Sequence, residues 1–354
     1  MAHSARPPTL VFFSSNFVIF CECFHRLRAY WKLDLSYVAN YSCITTIVVR
    51  NGDPIQEVSE AGSRSLAQLS RLTYLDLSGC NKVFLSPLAT MTALTSLDLS
   101  VQMKANDMSH LATLTGLTCL KLRNIMLLRD IMLTPLLSLT GLTSLSLHLC
   151  HYLHSTTVFA SFTALKNLSL LNFCELDDIG VMQLSQLTTV TSLHLSGSYR
   201  NFTSVEALSR MTGLTSLSIC RCVNVTHVGV LARLTSLRSL VLSGSYRACG
   251  VMAALSYLTL LTSLDLSHLN RDSLALPPLT SLTSLNLSFC REVTNDVVAT
   301  AVSSLTSLTI LNLSGTRVTN DVIAVLGPLK LLRSINLRYT QVNILGLEAY
   351  LRFI

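Results

Sequence analysis

A short apolar phrase recurs twelve times along this 354-residue chain. Its form is L-x-x-L-x-L-x-x-C/x, as it begins in Leu72-Thr-Tyr-Leu75-Asp-Leu77-Ser78 and Leu308-Thr-Ile-Leu311-Asn-Leu313-Ser314. It opens at Leu72, Leu94, Leu117, Leu142, Leu165, Val190, Leu214, Leu237, Leu261, Leu282, Leu308 and Leu332, at spacings of 21 to 26 residues, and a weaker copy starts at Ile44. Self-similarity at this period specifies a stack of about thirteen small units rather than a set of independent domains.

The phrase reads as a strand. Leu75 and Leu77 are two apart and share one side of an extended chain, while Asp76 faces the other. One such strand buries too little to be stable alone, so neighbouring units must stack into a parallel sheet over a continuous core. The rest of each unit returns the chain. The segments 295–305 and 226–234 carry apolar residues at helical spacing. Pro87, Pro135, Pro277, Pro278 and Pro328 limit such returns to short helices or turns. Strands pack closer than helices, so the expected architecture is an α/β solenoid, a horseshoe with one parallel sheet lining its concave face.

In this phrase the chain resembles the leucine-rich-repeat family from about Ile44 onward. A second signature, L-x-x-C-x-x-V-T, occurs in Leu287-Ser-Phe-Cys290-Arg-Glu-Val293-Thr and Ile219-Cys-Arg-Cys222-Val-Asn-Val225-Thr, and begins in Leu77-Ser-Gly-Cys80. It resembles the cysteine-containing subtype found downstream of F-boxes; Thr316 and Thr340 replace the cysteine in the last two repeats. Upstream, Phe17 to Ser36 resembles the second half of an F-box, which implies that Cys21, Phe24 and Trp31 contact a ubiquitin-ligase adaptor. The alternative for residues 1–43 is a plain helical cap over the first repeat, with 44–354 as the array. The resemblance implies a protein-protein interaction module, in its specific form a substrate-recognition subunit of a ubiquitin ligase. A cytosolic scaffold or signalling adaptor without a ligase link and a cell-surface recognition module are the alternatives.

Half of the residues are apolar and 13% are charged, which suits a shared leucine core. Of eleven cysteines, Cys80, Cys150, Cys222 and Cys290 hold the ninth place of their repeats and should point inward as reduced thiols, in a cytoplasmic setting. The apolar run from Thr9 to Phe20 is too short to span a membrane; if residues 1–24 act as a signal peptide, the protein is secreted or displayed at the cell surface. A net charge of +7 is modest for this length and does not mark a nucleic-acid binder. His148, Cys150, His151 and His154 diverge in repeat register and do not form a tetrahedral metal site. Asp177 and Asp178 read as turn and helix-start residues. With neither a phosphate-cradling loop nor a nucleophile elbow, no enzyme activity and no cofactor is expected.

The sharper surface signal is a run of arginines eight to eleven residues into consecutive repeats: Arg200, Arg221, Arg247, Arg271, Arg291 and Arg317. Stacking would align them along the edge where strands exit. Tyr199 and Tyr246 precede two of them in a duplicated Leu-Ser-Gly-Ser-Tyr-Arg. Tyr and Arg are enriched at binding hot spots, so this edge is expected to meet an acidic protein surface. The other reading is that the arginines only keep a loop edge soluble. The outward strand positions are mostly Ser, with Tyr74, Asp76, Asp98, Lys121, Arg123, His148, His194, Asp265 and Arg338 as exceptions.

Overall fold

The computed structural model describes residues 9–13, 43–50, 57–78, 80, 82–99, 105–124, 128–150, 152–153, 155–172, 176–197, 202–245, 247–269, 275–302 and 304–343. The chain divides into two compact units, Met1–Phe173 and Cys174–Ile354. In the first, the strands are β1 (Thr9–Phe13), β2 (Thr46–Arg50), β3 (Glu57–Val58), β4 (Tyr74–Leu77), β5 (Lys82–Val83), β6 (Ser96–Leu99), β7 (Cys119–Arg123), β8 (Ser144–His148) and β9 (Asn167–Leu171). All but β3 and β5 lie side by side in chain order, and every pairing is parallel. β3 and β5 form a separate parallel pair. The second unit continues the pattern with β10 (Ser192–Ser196), β11 (Ser216–Cys220), β12 (Ser239–Val241), β13 (Ser263–Asp265), β14 (Ser284–Asn286), β15 (Ile310–Asn312) and β16 (Ser334–Asn336), each parallel to the next.

Register follows the phrase. Its fourth residue aligns strand to strand, as Leu75, Leu97, Leu120, Leu145 and Leu168 in the first unit and Leu193, Leu217, Leu240, Leu264, Leu285 and Leu311 in the second. None of these leucines is more than 1% exposed, so the position is core up to the last strand, where Ile335 is half-buried. Each such burial stabilises by about 1.5–3 kcal/mol relative to an exposed side chain. A one-residue slip would turn the whole row outward, which is why the register is fixed.

The second residue adds a polar seam. The hydroxyls of Thr95, Thr118 and Thr143 each donate to the carbonyl of the equivalent threonine one repeat earlier, at 3.0 to 3.1 Å. Thr283 and Thr309 repeat this in the second unit, both at 2.9 Å. The start edge of the sheet is thus tied side chain to backbone as well as backbone to backbone.

Residues Thr9–Phe13 form a strand on β2, where the sequence reading expects a helical cap. The run Thr-Leu-Val-Phe-Phe is β-branched and aromatic, which suits an extended chain, and it satisfies the otherwise open edge of β2. Cys21, Phe24 and Trp31 lie outside the described residues.

The returns are short. They comprise α1 (Glu60–Ala67), α2 (Leu85–Leu88), α3 (Ala105–Ala112), α4 (Asp130–Leu133), α5 (Asp178–Leu184), α6 (Val251–Leu255), α7 (Asn295–Val302) and α8 (Val322–Leu326), with 3-10 turns at Thr134–Ser138, Thr157–Ser161, Glu206–Arg210 and Gly229–Arg233. A period of about 24 residues leaves room for only one or two turns. Ser59 caps α1, accepting from the Gly62 N–H at 3.0 Å, and Asp177 caps α5, accepting from Gly180 at 2.7 Å. Asp178 reaches the next repeat, accepting from Thr203 N–H and Oγ1 and from Ser204 N–H at 2.8, 2.6 and 2.9 Å. Burial would raise its carboxyl, but these donors outweigh it and hold the group below its ordinary value. The Asp-Asp pair is therefore a cap and an inter-repeat clamp.

Ninth-place residues are inward. Cys80, Cys150, Cys222 and Cys290 are at most 1% exposed. Burial pushes the thiols of Cys80 and Cys150 up to about 12, and the charge of Asp76 adds to the rise at Cys80. Burial likewise lifts Cys290 to about 11. These thiols stay protonated and unreactive. The hydrogen bonds of this column differ. Ser245 Oγ and Cys290 Sγ donate to carbonyls of the preceding repeat, Ile219 at 2.8 Å and Leu266 at 3.1 Å. Thr316 and Thr340 instead donate within their own repeats, to Leu313 at 2.6 Å and Leu337 at 2.7 Å.

Candidate functional site

The eighth residue of the repeat leaves the sheet in a way the sequence reading missed. Every described residue at that place has a positive φ: Asn124, Leu149, Gly197, Arg221, Gly244, His268, Phe289, Gly315 and Tyr339 among them, with the non-glycine values running from 53° at Asn172 to 60° at Tyr339. The geometry has a clear cause. The sixth and ninth residues close a turn, as in Cys290 N–H to the Leu287 carbonyl at 3.3 Å, and the eighth sits at its third position. Its own N–H still pairs onward, as in Arg221 to Ser243 at 2.7 Å and Phe289 to Ser314 at 2.8 Å. A left-handed residue there turns the ninth side chain into the core. Gly and Asn adopt this conformation at little cost; other residues pay about 1–2 kcal/mol.

In the second unit this column becomes a surface. The rings of His268 and Phe289 stack at 4.8 Å between centroids, with planes 11° apart. On the far side Phe289 lies over Gly315, where an added Cβ would come within 2.5 Å of the ring. Gly315 is thus required by close approach as well as by its φ of 67°. The Arg221 stem lies over Gly244 in the same manner, its Cγ 3.3 Å from where a Cβ would stand. Phe289 remains 42% exposed and Tyr339 82%. Arg221, Arg291, Arg317 and Arg338 belong to the same run of repeats; all are exposed and none forms an ion pair with a described residue.

Of the residues expected to form this edge, Arg221 occupies the eighth-place column itself. Arg291 and Arg317 stand at the tenth place of adjacent repeats and are exposed, as is Arg247. Tyr199, Arg200, Tyr246 and Arg271 lie outside the described residues. His268, Phe289 and Tyr339 were missed because their role depends on repeat position and not on residue type. Aligning the eighth column in the sequence would have exposed them.

The sheet face of the first unit is arranged differently. Arg123 grips Asp98 with both ends of its guanidinium, Nε to Oδ1 at 3.1 Å and Nη2 to Oδ2 at 2.8 Å. The Asp98 side chain is only 4% exposed. Burial raises its carboxyl, against the lowering influence of Arg123. Asp76, also buried, accepts from the Ser78 N–H at 2.9 Å. His148 receives the Asn172 side-chain amide on Nε2 at 3.0 Å, which requires that nitrogen to be unprotonated. Burial first, and then the charge of Arg123, lower its pKa. Asp76 and Asp98 are therefore buried in the fold and His148 is held by Asn172 with its ring partly exposed, where strand alternation suggests open groups. Among the described residues no three His, Cys, Asp or Glu side chains gather as a metal site; His151 and His154 lie outside them. No described helix is long and apolar enough to cross a membrane.

No protein-family profile and no curated protein sequence matches the chain. Solved structures do. An internalin of Listeria monocytogenes is similar at a TM-score of 0.60 with 25% identity, covering 93% of this chain and 86% of that one. A leucine-rich-repeat protein of Leptospira interrogans is similar at a TM-score of 0.56 with 16% identity, over 90% and 84%. The parallel strands, the aligned leucine core and these neighbours together identify the architecture as the leucine-rich-repeat fold.

Proposed function

We propose that this chain is a protein-recognition module and that the exit edge of its second unit is the contact surface. The observation that supports this most is the choice of residues in the left-handed column. Glycine would fill each place without strain, yet Arg221, His268, Phe289 and Tyr339 occupy four of them and display their side chains to solvent. Backbone strain retained under exposed aromatic and cationic groups is a functional signature, because folding alone gains nothing from it. The test is to relieve the strain. Arg221→Gly and Tyr339→Asn should leave the melting temperature equal or higher, while partners captured by the native chain from its own cells are lost from the double variant. An unchanged set of captured partners would remove the edge from recognition.

The finer version of this reading is a ubiquitin-ligase substrate receptor in the cytoplasm. Its support is the Cys21, Phe24 and Trp31 pattern together with Cys80, Cys150 and Cys290 as buried free thiols. Deletion of residues 1–40 should then abolish co-purification of a cullin adaptor while the array stays folded. A full chain that binds no adaptor leaves the scaffold reading. Thiol titration of the unfolded chain should find all eleven cysteines reduced; paired cysteines would move the protein to the cell surface.

A further inference from the structure

We infer that the partner meets this edge with an acidic, extended peptide segment laid across the repeats. The inference rests on the exit edge being the recognition surface and names what that surface takes. Three features of the column point the same way.

The first is charge without a counter-charge. Arg291 and Arg317 occupy the same place in adjacent repeats, so their backbones stand about one parallel-strand spacing apart, roughly 4.8 Å. Arg338 follows in the next repeat and Arg221 lies three repeats before Arg291. All four are exposed and lack an ionic partner among the described residues. Glu292, Asp296 and Asp321 are exposed carboxylates of the same repeats, and none of them forms an ion pair with these arginines. Neighbouring like charges repel, and carboxylates arriving from outside relieve that repulsion.

The second is a preorganised apolar centre. The Phe289 ring is fixed between His268 and Gly315, so little side-chain freedom is lost when a partner covers it. A rigid exposed aromatic with exposed arginines in its own and the following repeats has the composition of an interface hot spot.

The third is length. From Arg221 to Tyr339 the column crosses five strand spacings, about 24 Å. An extended chain covers that distance in about seven residues. The left-handed exit also turns every eighth side chain off the sheet in the same sense, which makes a row suited to a linear segment.

The experiment pans a phage-displayed random dodecapeptide library on the full chain. Selected peptides are resynthesised with a fluorophore and titrated against the native chain, Phe289→Ala, and the pair Arg291→Glu with Arg317→Glu. Thermal melts of each variant check the fold. The expected result is enrichment of Glu- and Asp-rich peptides that lose about tenfold or more in affinity on both variants and weaken as salt is raised. Neutral or basic peptides that lose affinity only on Phe289→Ala would overturn the acidic partner and keep the edge. Peptides indifferent to every edge substitution, or a library that yields no binder, would overturn the partner and the edge together.

Discussion

Arg123 in the first unit and Arg221 in the second leave their strands one repeat place apart and meet opposite surroundings. Arg123 is seventh in its repeat and turns back over the sheet, where the buried carboxylate of Asp98 takes both of its donors. Arg221 is eighth, is turned off the sheet by its left-handed backbone, and rests its stem on Gly244. A seventh-place arginine is consumed by the fold where a carboxylate stands at the fifth place one repeat back, as Asp98 does for Arg123; Arg338, also seventh, follows Asn312 and stays exposed. The fifth-place residues reinforce this. In the first unit they include the buried Asp76 and Asp98. In the second, Asp265, Asn286, Asn312 and Asn336 turn their Oδ1 atoms to N–H groups two residues ahead, as Asp76 does in the first, and of these four only Asp265 is a carboxylate.

The two units share the leucine row of their strands. Leu120→Ala and Leu217→Ala each remove a fully buried side chain and should cost about 2–5 kcal/mol in chemical denaturation. A cost below about 0.5 kcal/mol at either would mean that the two units do not share a core rule.

A smaller effect sharpens the difference between the arginines. Arg123→Ala leaves Asp98 buried without its cation and should cost about 1–3 kcal/mol, discounted because half of Arg123 is solvated. Adding Asp98→Asn should recover most of that loss. If the double variant is no better than the single, the clamp is not what stabilises the first unit.

The pH response comes next. The pKa of His148 is below its ordinary 6.5, so the unfolded chain takes up the proton first. Its contribution to stability is present above pH 6.5 and lost as the pH falls through the folded value. Asp98 has the opposite sign: its raised carboxyl contributes below 3.8, and the contribution is lost as pH rises through the folded value. Between about pH 7.5 and pH 5, urea midpoints should therefore fall more steeply in the native chain than in His148→Gln. Equal slopes would remove His148 from the balance. The smallest change is Arg221→Gly, within about 0.5 kcal/mol of neutral or stabilising by up to about 1 kcal/mol as strain is relieved.

The core was open to reading because it repeats in residue type. Leucines at the first, fourth and sixth places and cysteines at the ninth announce their own direction, and burial agrees except at Leu337 in the last repeat, which is half-buried. The eighth place was closed to reading because Gly, Asn, Leu, Arg, His, Phe and Tyr all occur there; its constraint is on the backbone, and only an alignment by place brings it out. The sheet face misled for another reason. Alternation gives the side on which Asp98 lies, but not that Arg123, a repeat later, folds down to cover it. Over Thr9–Phe13 the apolar run carried no strand-pairing signal of its own because its neighbour in space, β2, lies far along the chain.

The ninth-place hydrogen bonds set where the stack parts. Ser245 and Cys290 stitch each repeat to the one before, whereas Thr316 and Thr340 turn that bond inward upon their own repeats. The two seams ahead of Thr316 and Thr340 thus hold one buried rivet fewer, and amide exchange should find them opening before the stitched seams do. The first of those seams runs directly beneath the ring of Phe289 where it overlies Gly315. A partner seated on that ring would bridge both sides of the gap and act as the missing rivet, so binding at the edge should slow exchange in the core below it.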